Sequence, residues 1–384
     1  MLKNIQKFIL GLSCAFFLTA CQQPKKEPVA TVKEENTATT QEAIPGAGNT
    51  VTIRSIGDIL LHDGVYYNGQ QGDGTYNFDF MLEPVAPYLK NADITTANME
   101  TIVAGHQLGV STYPQFNAPE EIVDTLLNVG VDIVSHASNH TVDFGAAGVH
   151  ASINTLKEKG MPYVGAYESW DDYNHLRILE ANGIKVGFLN YTYGTNGLPV
   201  PEDEPYLVTL IDTELIPLEI QRLKEYCDVA VVIFQFGDDA MLPVQSQLDL
   251  TDLCIKAGAN YVLGGHPHIM QPFKRFGDSQ VAWYSHGNFL SGQIKPYEKV
   301  GGIGEVTFKK QEDGSITVED VRVMPTYNFG YPEWNSYLVV PLAQAQERGL
   351  YNGDEMLNEV KQRFTEYDSS VKVVDYLDDT PNAE

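Results

Sequence analysis

Downstream of residue 50 the chain alternates short apolar runs with stretches in which apolar residues recur every three or four positions. The runs at 51–57, 92–97, 131–135, 184–191, 228–234 and 261–263 predict strands. The run at 228–234 is apolar from Val229 onward and rich in valine, as expected of a strand buried on both faces. The periodic stretches between them predict helices. Ile122, Leu126 and Val129 fall on one face, with Pro119 in the first turn and Gly130 at the end. Val149, Ile153 and Leu156 repeat the logic over 145–159, ahead of Gly160, and 248–257 reads as a further helix. Strand-helix-strand order implies right-handed crossovers and a sheet covered on both faces.

The pattern changes after Gly265. Short strands with hairpin-like spacing are expected at 269–276, 281–285, 304–309 and 315–323, with turns at Gly277-Asp278 and Asp313-Gly314. They predict a second, more antiparallel sheet packed on the first. From Leu342 the chain reads as helical and then as an acidic tail, 375–384. There is no internal repeat.

The N-terminal pattern is of another kind. Residues 1–7 carry two lysines and no acid, and 8–18 form an apolar run too short to span a bilayer. It ends in Leu18-Thr19-Ala20-Cys21, which looks like the box at which a bacterial lipoprotein leader is cut and its cysteine lipidated. An ordinary signal peptide, or a short anchor, with a chance cysteine is the alternative. Residues 22–49 are Lys, Glu, Thr, Ala, Pro and Gly with almost no large apolar side chain. Such a segment cannot offset its ordering entropy by burial and reads as a disordered tether. The expected organisation is therefore a leader at 1–20, a lipidated tether at 21–50, a folded domain at 51–340, and a helical extension with its tail at 341–384. The protein is expected on the extracytoplasmic side of the cell membrane, held there by Cys21.

Roughly 320 residues downstream of the tether suit one large α/β domain or two small ones. The formal charge is −26, and loss of Lys3 and Lys7 with the leader makes it more negative still. That excludes nucleic acid as a partner and a broad electrostatic grip on any polyanion; an anionic substrate would need local help such as metal ions. Of the four cysteines, Cys14 leaves with the leader and Cys21 takes the lipid. Cys227 and Cys254 are expected as buried free thiols.

In an open α/β sheet, functional groups gather outside the carboxyl ends of the strands. Here those ends read Gly57-Asp58 with His62-Asp63, Asn98-Met99-Glu100, Ser135-His136-Ala137-Ser138-Asn139-His140, Gln235-Phe236-Gly237-Asp238-Asp239 and Gly265-His266-Pro267-His268, followed by Ser285-His286-Gly287-Asn288. A single strand-end Asp is usually a cap and a single His a bonded structural residue. The conjunction is what points to chemistry: six of the nine histidines lie in these clusters. Oxygen and imidazole donors from several strand ends suit one or two ions of Mn, Fe, Zn or Mg. In extended chain, the i, i+2 spacing of His266 and His268 puts both imidazoles on one side. A tight turn whose histidines only cap neighbours is the alternative.

With these residues in place, the chain resembles the poly-gamma-glutamate capsule biosynthesis (CapA-like) family, relatives of the calcineurin-like metallophosphoesterases. The resemblance runs from about residue 52 to 290. It rests on Gly57-Asp58-Ile59-Leu60, Asn98-Met99-Glu100, Ser138-Asn139-His140 with Asp143-Phe144-Gly145, Gly265-His266-Pro267-His268 and Tyr284-Ser285-His286-Gly287-Asn288-Phe289. It implies a metallophosphoesterase-like four-layer fold with two mixed sheets flanked by helices. It also implies a part in making, exporting or anchoring a gamma-linked glutamate polymer, beside membrane synthase subunits. By position, Asp58 would bind a metal, Glu100 would bridge two, Asn139 and Gln235 would face the second, and His266 and His268 would bind one each. His140 would be the general acid. Two departures stand out: Leu60 occupies a position where phosphoesterases usually carry histidine, and Gln235 replaces the usual histidine of the long apolar strand.

Three functions compete at this point: a metal-dependent hydrolase or transferase, a non-catalytic export or anchoring component, and a lipoprotein that captures a solute for a transporter. The His/Asp/Asn set disfavours the third. The anchor has its own test. Cys21→Ala is expected to release the protein from the membrane or block its processing, as read by fractionation. A variant that is cleaved as usual and stays membrane-bound would overturn the lipidation reading.

Overall fold

A computed structural model describes residues 49–332 and 334–378. The leader, Cys21, nearly all of the tether and the last residues of the acidic tail lie outside the described residues. Four parallel strands come first: β1 (Thr50–Leu60), β2 (Ile94–Met99), β3 (Ile133–Ser135) and β4 (Tyr163–Val164). Then follow β5 (Arg177–Ala181), β6 (Ile184–Thr192), β7 (Val229–Gln235), β8 (Tyr261–Gly265), β9 (Phe273–Phe276) and β10 (Gln280–Trp283), which make a six-stranded sheet in the order β5-β6-β7-β8-β10-β9. The chain then returns to the first sheet with β11 (Asn288–Ser291), β12 (Val300–Lys310), β13 (Ile316–Phe329), β14 (Leu338–Pro341) and β15 (Lys372–Val373). That sheet runs β14-β13-β12-β1-β2-β3-β4, with β11 also paired to β1 and β15 to β13.

Three apolar layers hold four layers of structure together. Ile122 and Leu126 of the helix Glu121–Asn128, with Val149, Ile153 and Leu156 of Gly145–Lys159, pack on the outer face of the first sheet. Val51, Ile53, Ile94 and Ile133 of the first sheet meet Val186, Phe188, Val231, Ile233 and Leu263 of the second. The outer face of the second sheet, with Val232, Phe234 and Val262, is covered by Ile216 and Ile220 of Leu215–Lys224 and by Leu250 and Cys254 of Gln245–Ala257. This is the α/β sandwich with two mixed sheets flanked by helices that the resemblance implied. Cys227 and Cys254 are free and buried. No helix among the described residues is long and apolar enough to cross a membrane.

The origin of the second sheet differs from the sequence expectation. It is built from β5 to β10, and of the strands after Gly265 only β9 and β10 join it. β12 instead pairs antiparallel with β1, and β13 pairs with β12. The reason is edge protection: β1 is buried over nearly its whole length, so the side away from β2 also needs a hydrogen-bonding neighbour. β5 was not anticipated either, although Asn182-Gly183, both at positive φ, is a strong two-residue hairpin signal.

One feature of β1 sets up the site. Ile56 and Ile59 both pack in the layer under the helices, three residues apart. The strict two-residue period of a strand does not allow this, and the register accordingly slips at Gly57–Asp58. Gly57 is required because a Cβ there would lie 1.8 Å from the Gly287 carbonyl oxygen. The bulge frees Asp58 from the apolar face.

At the opposite end of the sheet the C-terminal segment is tied in by charge. Arg54 is buried and donates to Glu305 (2.6 Å) and to Asp378 (2.7 Å). Arg322 donates to the other Glu305 oxygen at 2.7 Å. Without Glu305, Arg54 keeps Asp378 as its one carboxylate partner, so Glu305→Ala is expected to cost about 2 kcal/mol, the worth of a hydrogen bond to a charged group, read by urea unfolding. A loss below about 1 kcal/mol would show that the pair behaves as a solvated one.

Candidate metal centre

The bulge places Asp58 opposite the ends of β2, β7 and β8. Its Oδ1 accepts from Asn98 Nδ2 at 2.6 Å, and its Oδ2 faces His268 Nδ1 at 2.9 Å. Asn98 Nδ2 also donates to Gln235 Oε1 at 3.0 Å, and Asn98 Oδ1 accepts from Ser135 Oγ at 2.8 Å. Gln235 Nε2 donates to Asn139 Oδ1 at 3.2 Å. Glu100 stands two residues beyond Asn98, with Oε2 3.7 Å from His268 Nδ1. Donor atoms of Glu100, His266 and His268 lie within 4.8 Å of one another. His140, the neighbour of Asn139, pairs through Nδ1 with Asp143 Oδ2 at 2.7 Å. The structure therefore gathers Asp58, Glu100, Asn139, His140, Gln235, His266 and His268 into one connected polar cluster.

Gly265 permits this convergence. A Cβ there would meet Asn98 Nδ2 at 2.5 Å, Gln235 Oε1 at 2.8 Å and Asp58 Oδ1 at 3.0 Å. The backbone of the following histidines corrects the expectation of an extended pair. His266 has φ +93 and His268 φ +56, so the segment turns through left-handed conformations. Such residues cost of order 1–3 kcal/mol each and persist where surrounding structure over-determines them. The imidazoles still share the cluster, with ring centroids 6.0 Å apart.

The cluster fits a cation. Glu100 is wholly buried and no donor reaches either of its oxygens in good hydrogen-bond geometry; the Gln235 amide and the His268 ring, 3.7 Å away, are its polar neighbours. Burial pushes its carboxyl well above the usual carboxylate range, His268 opposes that, and nearby Asp58 adds to it. Burial and the neighbouring His268 push His266 down to about 4, and its Nδ1 has no partner. His268 goes the other way, to about 9: burial disfavours its charge, but Glu100 and Asp58 outweigh it. A buried carboxylate without a donor and a neutral imidazole with a free nitrogen are the donor types a divalent ion takes.

The remaining histidines of the strand-end clusters serve structure. His136 Nε2 bonds Ser152 Oγ at 2.9 Å, His286 Nδ1 bonds the Gly264 carbonyl, and His62 Nδ1 accepts from Gly292 N at 3.2 Å. Leu60 is buried in the strand. Four residues of the site had no role assigned from sequence. Asn98 ties Asp58 to Gln235, and its i, i+2 spacing from Glu100 was the available signal. Asp143 holds His140. Tyr193 and Asn196, on the loop after β6, reach His266 and Asn139 and carry no signal beyond a turn-like Gly-Thr-Asn-Gly.

The family of bacterial capsule synthesis proteins, PGA_cap, matches residues 52–293. Capsule biosynthesis protein CapA of Bacillus anthracis is 26% identical over 296 residues, covering 74% of this chain and 68% of the relative. PGA biosynthesis protein CapA of Bacillus subtilis (strain 168) is 24% identical over 252 residues, covering 64% of this chain and 65% of its own length. This chain thus spans about two thirds of the length of either relative. Among solved structures, Haemophilus influenzae NAD nucleotidase (NadN) is similar at TM-score 0.48 and 12% identity, over 85% of this chain and 64% of that one.

The orphaned carboxylate generates a test. In chelator, Glu100→Gln is expected to lower the unfolding free energy by about 1 kcal/mol or more, because protonated His268, 3.7 Å away, loses one of its two carboxylate partners and the new amide has no partner of its own. The same variant is expected to lose metal affinity by about 100-fold or more, since even outer partners of a metal are worth up to that. Denaturation in chelator and elemental analysis of the purified chain read the two effects. Unchanged metal content would remove Glu100 from the ligand set.

Proposed function

The chain belongs to the bacterial capsule synthesis protein family, and from that premise we propose that it acts on a gamma-linked glutamate polymer at the outer face of the cell membrane. Anchored through Cys21, it serves the synthesis, export or anchoring of that polymer as a metal-dependent hydrolase or transferase, beside membrane synthase subunits. The observation that carries the catalytic reading is the buried Glu100 between His266 and His268, with no hydrogen-bond donor of its own. Asp58, Glu100, His266 and His268 would hold the ion, with Asn139 and Gln235 at a second position. A divalent ion bound there neutralises developing negative charge and activates water. His140 supplies the proton. With Nδ1 held by the Asp143 carboxylate, Nε2 is the nitrogen left to protonate a leaving atom. Phe116 packs edge-on to the His140 ring at 4.7 Å and its amide donates to Asp143, so the pair is fixed in orientation and shielded from water on that side.

One observation favours a second reading, that of a polymer-binding component without turnover. Gln235 is engaged at both ends of its amide, with Asn98 and with Asn139. Its oxygen is a poorer donor to Zn than imidazole and tolerable for Mg or Mn. The position near Asn139, Gln235 and His266 is therefore expected to hold its ion weakly, and the position near Asp58 and His268 firmly, with Glu100 shared.

Metal analysis of the purified wild type and of Gln235→His, with assays on a chromogenic phosphoester and on gamma-linked polyglutamate, decides between the readings. The substitution is expected to raise metal content without disturbing the fold. Two tightly held ions per wild-type chain, unchanged in Gln235→His, would show that this residue is not the limiting ligand. Full metal loading with no turnover of either substrate would favour the binding component.

A further inference from the structure

The loop after β6 is anchored directly to the metal-facing strand. Thr192 is the register partner of Gln235, and the Tyr193 amide donates to the Gln235 carbonyl at 3.0 Å. From there the Tyr193 ring lies 4.6 Å from the His266 ring, and half of the tyrosine is exposed. Three residues on, Asn196 adopts φ +53. Its Oδ1 accepts from Asn139 Nδ2 at 3.3 Å and from the Tyr193 hydroxyl at 3.4 Å, and its Nδ2 lies 3.5 Å from His140 Nδ1. The turn is closed locally: Thr195 Oγ1 donates to the Leu198 carbonyl at 2.6 Å, and Thr192 Oγ1 donates to that of Gly194 at 3.0 Å.

Asn139 and His140 are buried, whereas Tyr193 and Asn196 are exposed. A ligand approaching His140 and His266 from that side meets the ring and the amide first. Glycine is the least costly residue at a left-handed turn position; an asparagine there tolerates the conformation and adds a side chain. That side chain is used at the site.

We infer that Tyr193 and Asn196 form the recognition wall of the centre and take a secondary amide with two methylene groups on its carbonyl side and a carboxylate-bearing carbon on its nitrogen side, the repeating unit of a gamma-linked glutamate chain. The wall carries no charge, so it neither repels nor grips the polymer's carboxylates. Asn196 offers an amide to the polymer's amide, and the Tyr193 ring offers a face to its methylenes. The inference rests on the capsule-polymer reading above.

Calorimetric titration of the full chain with a synthetic gamma-linked glutamate oligomer, at fixed Mn, tests it. Asn196→Gly keeps the turn and deletes only the side chain; Tyr193→Ala deletes the ring. Each is expected to weaken binding by about tenfold, the worth of one good hydrogen bond or an equivalent packing contact. Tyr193→Phe is expected to stay within about twofold, because the face and not the hydroxyl meets the ligand. Metal content is expected to equal that of the wild type in Tyr193→Ala and Tyr193→Phe, which separates loss of the wall from loss of the centre; Asn196→Gly also frees Asn139 Nδ2, so its binding is read at saturating Mn. Wild-type binding that survives unchanged in Asn196→Gly and Tyr193→Ala would overturn the wall alone. A wild-type chain that ignores the oligomer would overturn both the wall and the capsule-polymer reading.

Discussion

The structure depends on a buried chain of polar side chains that joins the two sheets where their parallel strands end. Asp58 and Asn98 belong to the first sheet and Gln235 to the second, and they are linked at 2.6 and 3.0 Å. Such a seam is costly. Each buried amide or carboxylate left unpaired loses about 1–3 kcal/mol, so the network must be satisfied nearly in full or not built at all. Asn98 achieves this with Ser135 on its oxygen and two acceptors on its nitrogen. Gln235 achieves it with a donor on one side and an acceptor on the other. Glu100 and His266 Nδ1 are left without partners by this network, and their donor atoms lie within 4.8 Å of one another and of His268.

Two glycines make the seam possible, and each acts by the absence of an atom. At Gly57 a side chain would collide with the Gly287 carbonyl, so β1 could not approach the segment entering β11. At Gly265 a side chain would occupy the point where Asn98, Gln235 and Asp58 converge. The bulge at Gly57–Asp58 then turns the carboxylate out of the apolar layer that Ile56 and Ile59 fill. Backbone choices, and not only donor types, determine that these side chains share a centre.

Much of this was legible in the sequence because strand periodicity and strand-end polarity are local properties. The runs that became β1, β2, β3, β7 and β8 were evident from apolar content alone, and polar residues at or just beyond their ends were the ones that converge. What was not legible is non-local. Whether the chain after Gly265 starts a sheet or completes one depends on the free edge of β1, which no local window contains. The His266 and His268 backbone was misjudged for a related reason: i, i+2 spacing suggests an extended chain, but tertiary contacts hold both residues at positive φ. Asn196 was invisible because a Gly-Thr-Asn-Gly turn looks the same whether or not its asparagine faces a functional centre.

Charge explains why the site is built from amides as well as carboxylates. The chain is strongly acidic, and its centre already gathers Asp58, Glu100 and Asp143 within one buried cluster. Another carboxylate at residue 98, 139 or 235 would raise the cost of burial without adding a donor the network lacks. Neutral amides resolve this, since each both accepts and donates and so can connect unlike neighbours. At the proposed second position an amide oxygen would bring no charge to an ion, so it would hold one less firmly than a carboxylate. Gln235 shows the choice most plainly: its amide connects Asn98 to Asn139 across the seam, which a carboxylate, having only acceptors, could not do.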